Sequence, residues 1–178
     1  MRNELALSGK MMYGDSFRDG VPFAKDPYVI SFGGRYLMYY SVHGYTDKAG
    51  TSHGWVVGIA ESKDLKNWKR IGEVNPDPKA TYETKGFVAP CALVSDGKVN
   101  LFYQTCENGT KDAKSADGIN WTRLSDQPFL PNSKPGEWNS SESGHPHIFA
   151  NPNGDDYLFF QGNNDNGKTW YLSNVRII

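Results

Sequence analysis

Asp26 and His145 each stand directly before a proline, and Glu142 lies one short turn upstream of the second. Carboxylates and imidazoles gathered in a pocket suit proton transfer: one group gives a proton to a leaving oxygen, another activates water or attacks carbon. With flat rings to stack on a sugar, that set has what hydrolysis of a glycosidic bond requires. Asp26 is the expected base or nucleophile, and Glu142 and His145 are the expected acids. Rings and amides for holding a substrate are His43, Tyr45, His53, Trp55, Trp138, Asn163, Asn164 and Asp165. Plainer roles stay open for several of them. Asp before Pro forms an Asx turn at a strand start, a loop glutamate is simply solvated, and NNDNG is an ordinary polar turn. His147 alternates with His145, so one is expected to face a channel and the other to bond between sheets. No compact metal-ligand spacing such as HExxH occurs. No catalytic metal or other cofactor is therefore expected, although a structural cation in a central channel fits the converging His and Asp.

These residues recur at fixed places in an internal repeat. DPYVISFGGRYLMYYS from Asp26, APCALVSDGKVNLFYQT from Ala89 and HPHIFANPNGDDYLFFQG from His145 align. Each opens with a residue followed by proline, runs through an apolar strand, and turns at Gly33-Gly34, Asp96-Gly97 or Asn153-Gly154. Such dipeptides signal tight hairpins. The returning strand carries paired aromatics at one offset: Tyr39-Tyr40, Phe102-Tyr103, Phe159-Phe160. ESKDLKNW and KSADGINW repeat a Ser-Asp-Trp set (Ser62, Asp64, Trp68; Ser115, Asp117, Trp121) expected to form a turn before an outer strand.

A repeat of this length with four short strands is a propeller blade. The expected fold is all-β: three four-stranded antiparallel blades in one domain, at about residues 26–75, 86–126 and 144–178. The third unit stops after three strands, so the N-terminal stretch 4–12 is expected to supply its outer strand. Three blades do not close a ring of the usual four to eight. A second chain is expected to complete it, making a homodimer. Blade topology places the residues before the three prolines (Asp26, Ala89, His145) around one channel mouth, with the loops between second and third strands beside them.

Composition removes other classes. Nineteen basic and twenty acidic side chains leave a net charge of −1, which gives no electrostatic case for nucleic acid or an anionic membrane. No run approaches the ~20 apolar residues that span a bilayer. The opening MRNELALSGKMM lacks an apolar signal core, which leaves the compartment unassigned. Cys91 and Cys106 form neither a CxxC pair nor a disulfide framework, and are expected to be unpaired thiols.

KDPYVISFGGRYLMYYS with GWVVGIAESKDLKNWKRIG, GFVAPCALVSDGKVNLFYQT, and EWNSSESGHPHIFANPNGDDYLFFQGNNDNGKTWYLS resemble blades of the five-bladed propeller glycosidases of glycoside hydrolase family 43, with families 32 and 117 as relatives. The resemblance implies that Asp26 matches the family base. It places Glu142 near where a family-43 acid enters and likens His145 to the histidine proposed as acid in family 117. It implies an inverting glycosidase acting on a plant or algal oligosaccharide. The family's further carboxylate has no match, because Ala89 stands at the equivalent position. A carbohydrate-binding module and a degenerate propeller fragment are the other readings.

Overall fold

The computed structural model describes residues 11–77, 79–107 and 109–177. Among these there are only strands, turns and irregular segments. The first blade contains β1 (Lys25–Phe32) and β2 (Arg35–Val42), then a small hairpin of β3 (Tyr45–Thr46) and β4 (Ser52–His53), then β5 (Val56–Ser62) and β6 (Lys69–Val74). The second has β7 (Phe87–Ser95), β8 (Lys98–Thr105), β9 (Thr110–Ser115) and the short β10 (Thr122–Arg123). The third has β11 (Glu142–Phe149), β12 (Tyr157–Asn163) and β13 (Tyr171–Arg176). Strand orders are β1-β2-β5-β6, β7-β8-β9-β10 and β11-β12-β13, with every neighbouring pair antiparallel. The stretch 4–12 expected to add a fourth strand to the third blade lies almost wholly outside the described residues.

Register follows the repeat. Tyr28 pairs with Tyr39, Cys91 with Phe102 and His147 with Phe159, at the same step of each hairpin. The Gly33-Gly34 and Asp96-Gly97 turns place both central residues at positive φ, as a two-residue hairpin with right-handed strand twist demands. The third blade departs from that expectation. Residues 150–156 form a wider loop in which Asn153 and Gly154 keep ordinary φ. Pro152 cannot donate to a ladder, and the Asn151 and Asp156 side chains accept from backbone N–H groups across the loop. Both Ser-Asp-Trp sets are turns. Asp64 accepts from the N–H of Lys66 and Asn67, and Asp117 accepts from those of Ile119 and Asn120.

The blades stack face to face. Leu37, Tyr39, Val57 and Ile59 of the first blade share a core with Ala92, Val99, Leu101 and Tyr103 of the second. Cys91 and Phe102, on the opposite face of the second, pack with Ile148 and Leu158 of the third. Residues 11–23 cover part of the first blade's outer face, where Asp15 accepts from Tyr40 (2.7 Å) and Arg70 (3.1 Å). Between the first two blades, buried Glu83 takes the Arg123 guanidinium at 2.7 Å and the Tyr103 hydroxyl at 2.5 Å. The third blade turns Phe149, Phe159 and Leu172 to solvent.

A hydrogen-bond device joins successive blades. Asp26, Ala89 and His145 all adopt left-handed backbone, with φ of 53°, 51° and 46°, and each sits at a register shift in its strand pair. The bulge takes the residue's N–H out of its own ladder. The Ala89 N–H then donates to Ser41 Oγ of the first blade (2.8 Å), and the His145 N–H donates to Gln104 Oε1 of the second (3.1 Å). Ser41 and Gln104 occupy the same place in the repeat, directly after the aromatic pair. Gly144 leaves the room this contact uses, because a Cβ on it would lie 2.3 Å from the Gln104 amide. Replacing Ser41 with alanine strands the Ala89 N–H in a buried site. Chemical denaturation of Ser41→Ala is expected to show a loss of about 1–3 kcal/mol, the cost of one unsatisfied buried donor; an unchanged midpoint would remove the link from the account of blade stacking.

Candidate active site

The same bulges build the site. A residue at a bulge is re-aimed out of the pleat, and left-handed backbone costs a non-glycine residue roughly 1–2 kcal/mol. The fold thus presents Asp26, Ala89 and His145 at the openings of three adjacent innermost strands. Strand β7 packs between β1 and β11. Two residues further along the flanking strands, the rings of Tyr28 and His147 meet edge to face at 6.2 Å. Asp26 and His145 therefore open onto the same mouth from opposite sides of β7.

On the first side, Asp26 Oδ2 accepts from Ser41 Oγ at 2.8 Å and lies 3.4 Å from Lys25 Nζ. Ser41 thereby couples the carboxylate to the Ala89 N–H and holds its orientation. Lys25 Nζ is 5.5 Å from the centre of the Trp55 ring, which brings Trp55 beside Asp26. Phe23, His43 and Trp55 form an edge-to-face cluster there, and His43 Nε2 is 2.8 Å from Asp19.

On the other side, Glu142 and His145 are held together by Gln161. Its Nε2 lies 3.0 Å from Glu142 Oε1 and 2.9 Å from His145 Nδ1, while Glu142 and His145 stand 3.7 Å apart. The neighbouring imidazole, with Gln161 and Gln104 adding to it, holds the Glu142 carboxyl below its ordinary value against the opposing effect of burial. Glu142 is thus a carboxylate at neutral pH. It is suited to accepting hydrogen bonds more than to donating a proton. A polar recess of about 100 Å³ opens beside it, lined by Gln104, Cys106, Glu107, Asn132 and Ser141 among others.

The remaining sequence candidates are distributed differently. Tyr45 stacks on His53 at 4.7 Å, and His53 bonds Asp47 at 3.0 Å, so this pair is engaged within its own hairpin. Trp138 stacks on Phe160 and touches Tyr171 edge-on, packing against the third blade. Asn163 is buried and accepts from Gly167 N–H. Asp165 accepts from Lys168, Thr169 and the Thr169 hydroxyl, while Asn164 is exposed on the same loop. His145 and His147 are both exposed. Sequence reasoning missed Lys25, Ser41, Gln104 and Gln161. The last three share one repeat position, a signal available in the aligned strings YYS, FYQ and FFQ. Both cysteines are free, Cys91 buried and Cys106 exposed. Among the described residues no three His, Cys, Asp or Glu side chains converge as metal ligands, and no helix is long and apolar enough to cross a membrane.

Comparison with known proteins agrees with this architecture. An uncharacterized protein of Mycobacterium tuberculosis is 26% identical over 149 residues, covering 76% of this chain and 45% of its own. A family 117 glycoside hydrolase of the marine bacterium Zobellia galactanivorans superposes with a TM-score of 0.73 at 18% identity, over 93% of this chain and 56% of the hydrolase. An endo-1,4-beta-xylanase of Bacteroides thetaiotaomicron gives 0.62 at 25% identity, over 87% and 47% respectively. The chain thus spans about half the length of the relatives it matches. The sequence model for glycosyl hydrolases family 43 matches residues 21–176, nearly all of the propeller blades described above, and the chain belongs to that family.

Proposed function

We propose that this chain hydrolyses a glycosidic bond in a plant or algal oligosaccharide, with Asp26 as base and the Glu142–His145 pair as the source of the proton. The observation that carries the reading is the mouth itself: Asp26 on one side of β7 and the Gln161-bridged pair on the other. Water attacks the anomeric carbon and gives its proton to Asp26. The bond to the leaving sugar breaks, and its oxygen takes the proton from His145, which stands 3.7 Å from Glu142. Placement of the two carboxylates on strands separated by β7 favours room for a water between them and hence inversion. Trp55 offers a ring beside Asp26 for the sugar to stack on. The similarity to an endo-1,4-beta-xylanase supports a plant oligosaccharide as the substrate class.

A second reading is a carbohydrate-binding module, favoured by Ala89 at the position of a further carboxylate. A screen of aryl glycosides and oligosaccharides separates the two. Hydrolysis by the wild type, falling about 10²–10⁴-fold in Asp26→Asn and in His145→Ala, is the expected result; binding without turnover in all three proteins would establish the module instead.

The charge on Glu142 gives a pH signature. Its carboxyl is held below its ordinary value in the fold, so the stability it contributes is present above the ordinary carboxyl range and is lost as the pH falls through the lowered value. Acid denaturation of Glu142→Gln is expected to lack that loss; an acid limb identical to that of the wild type would remove the interaction.

We further propose that the open face of the third blade is covered by a second copy of the chain. Phe159 is 43% exposed there, whereas Tyr39 and Phe102 at the same repeat position are 0% and 4% exposed beneath the next blade. Light scattering is expected to give twice the chain mass; a monomer at micromolar concentration would overturn the proposal.

A further inference from the structure

The repeat position that locks blades together is put to another use in the third blade. Ser41 and Gln104 each accept the N–H of the residue before the next blade's proline. Gln161, their counterpart, turns its amide toward its own blade's opening and contacts Glu142 and His145. Which amide atom makes these contacts is fixed by chemistry. An ionised carboxylate only accepts hydrogen bonds, so the Gln161 atom 3.0 Å from Glu142 Oε1 is the nitrogen. That same nitrogen is 2.9 Å from His145 Nδ1, and its second hydrogen must point there. Nδ1 is therefore the acceptor, and the single proton of the neutral ring resides on Nε2. Without Gln161 the nearby carboxylate would draw the proton to Nδ1 and bond it directly.

We propose that Gln161 is a positioning residue that fixes the tautomer of His145 and keeps it from sharing a proton directly with Glu142. The inference rests on the hydrolytic reading above for its consequence, and on the bridge alone for its geometry. Protonating His145 places a second N–H at Nδ1, facing the amide hydrogen already there. Gln161 must then turn its oxygen toward Nδ1, against the Glu142 carboxylate. The bridge thus sets which ring nitrogen carries the proton of neutral His145. Other titratable groups around this mouth are Glu107 and Cys106 in the recess beside Glu142, Lys25 and Asp26 across β7, and His147 on the same strand. None of them comes between Gln161 and its two partners.

Long-range proton–nitrogen NMR of the histidine rings, with His145 identified by its loss in His145→Ala, tests this without any substrate. In the wild type the neutral His145 ring is expected to carry its proton on Nε2. In Gln161→Leu the proton is expected to shift toward Nδ1 as the carboxylate becomes its direct partner. Gln161→Glu, which keeps the length of the side chain but cannot donate to Nδ1 when ionised, serves if the leucine variant does not fold, and is expected to move the proton to Nδ1 likewise. An Nδ1 proton in the wild type, or the same tautomer in wild type and variant, overturns the inference. Its failure is separable from that of the hydrolytic reading. A shifted His145 in a protein that turns over no glycoside sinks only the hydrolysis, and an unshifted His145 in an active enzyme sinks only the role of Gln161.

Discussion

The backbone N–H of the residue before the blade-opening proline, at Ala89 and His145, is the constraint on which blade stacking and mouth depend. Proline supplies no donor, and the bulge beside it takes the preceding N–H out of its own sheet. A buried N–H must find a partner, and the side chain after the aromatic pair of the previous blade provides it. One hydrogen bond thus fixes the spacing of adjacent blades and the direction of the side chain at the mouth. The left-handed φ at Asp26, Ala89 and His145 is a property of the repeat, since it occurs at the alanine as well as at the aspartate and the histidine. Strain at these residues is therefore not by itself a mark of chemistry; chemistry enters through which side chain stands there.

Charge at the mouth is divided unevenly. Asp26 is steadied by a hydroxyl and a partly exposed lysine, an arrangement that leaves water access to it. Glu142 and His145 are linked through one amide, an arrangement in which proton position depends on a single side chain. Ser41 belongs to both systems, because its hydroxyl donates to Asp26 while accepting from Ala89. Blade stacking and orientation of the Asp26 carboxylate consequently share an atom.

Much of this fold was legible in the sequence because local chemistry and the long repeat agree. Gly33-Gly34 and Asp96-Gly97 specify turns, the paired aromatics specify the second strand of each blade, and Ser-Asp-Trp specifies the bend before the outer strand. Asn153-Gly154 misled, since Pro152 and Asp156 widen the loop in ways a dipeptide signal does not contain. At the site, Asp26, Glu142 and His145 were visible as residue types at blade openings. What sequence could not supply was who holds whom. His53 is engaged by Asp47, Asp165 by its own loop, and Trp138 by Phe160, and these local bonds decide which rim residues remain available. Gln161 escaped notice because an uncharged amide carries no chemical signature until its neighbours are known.

Ala89 has a consequence for how this mouth can change over generations. Its backbone already holds the left-handed turn that Asp26 uses, a conformation in which aspartate is more at ease than alanine. Every alanine codon is one base from a codon for aspartate or glutamate. A further carboxylate is therefore a single nucleotide away, at a site where the chain need not be rebuilt to receive it.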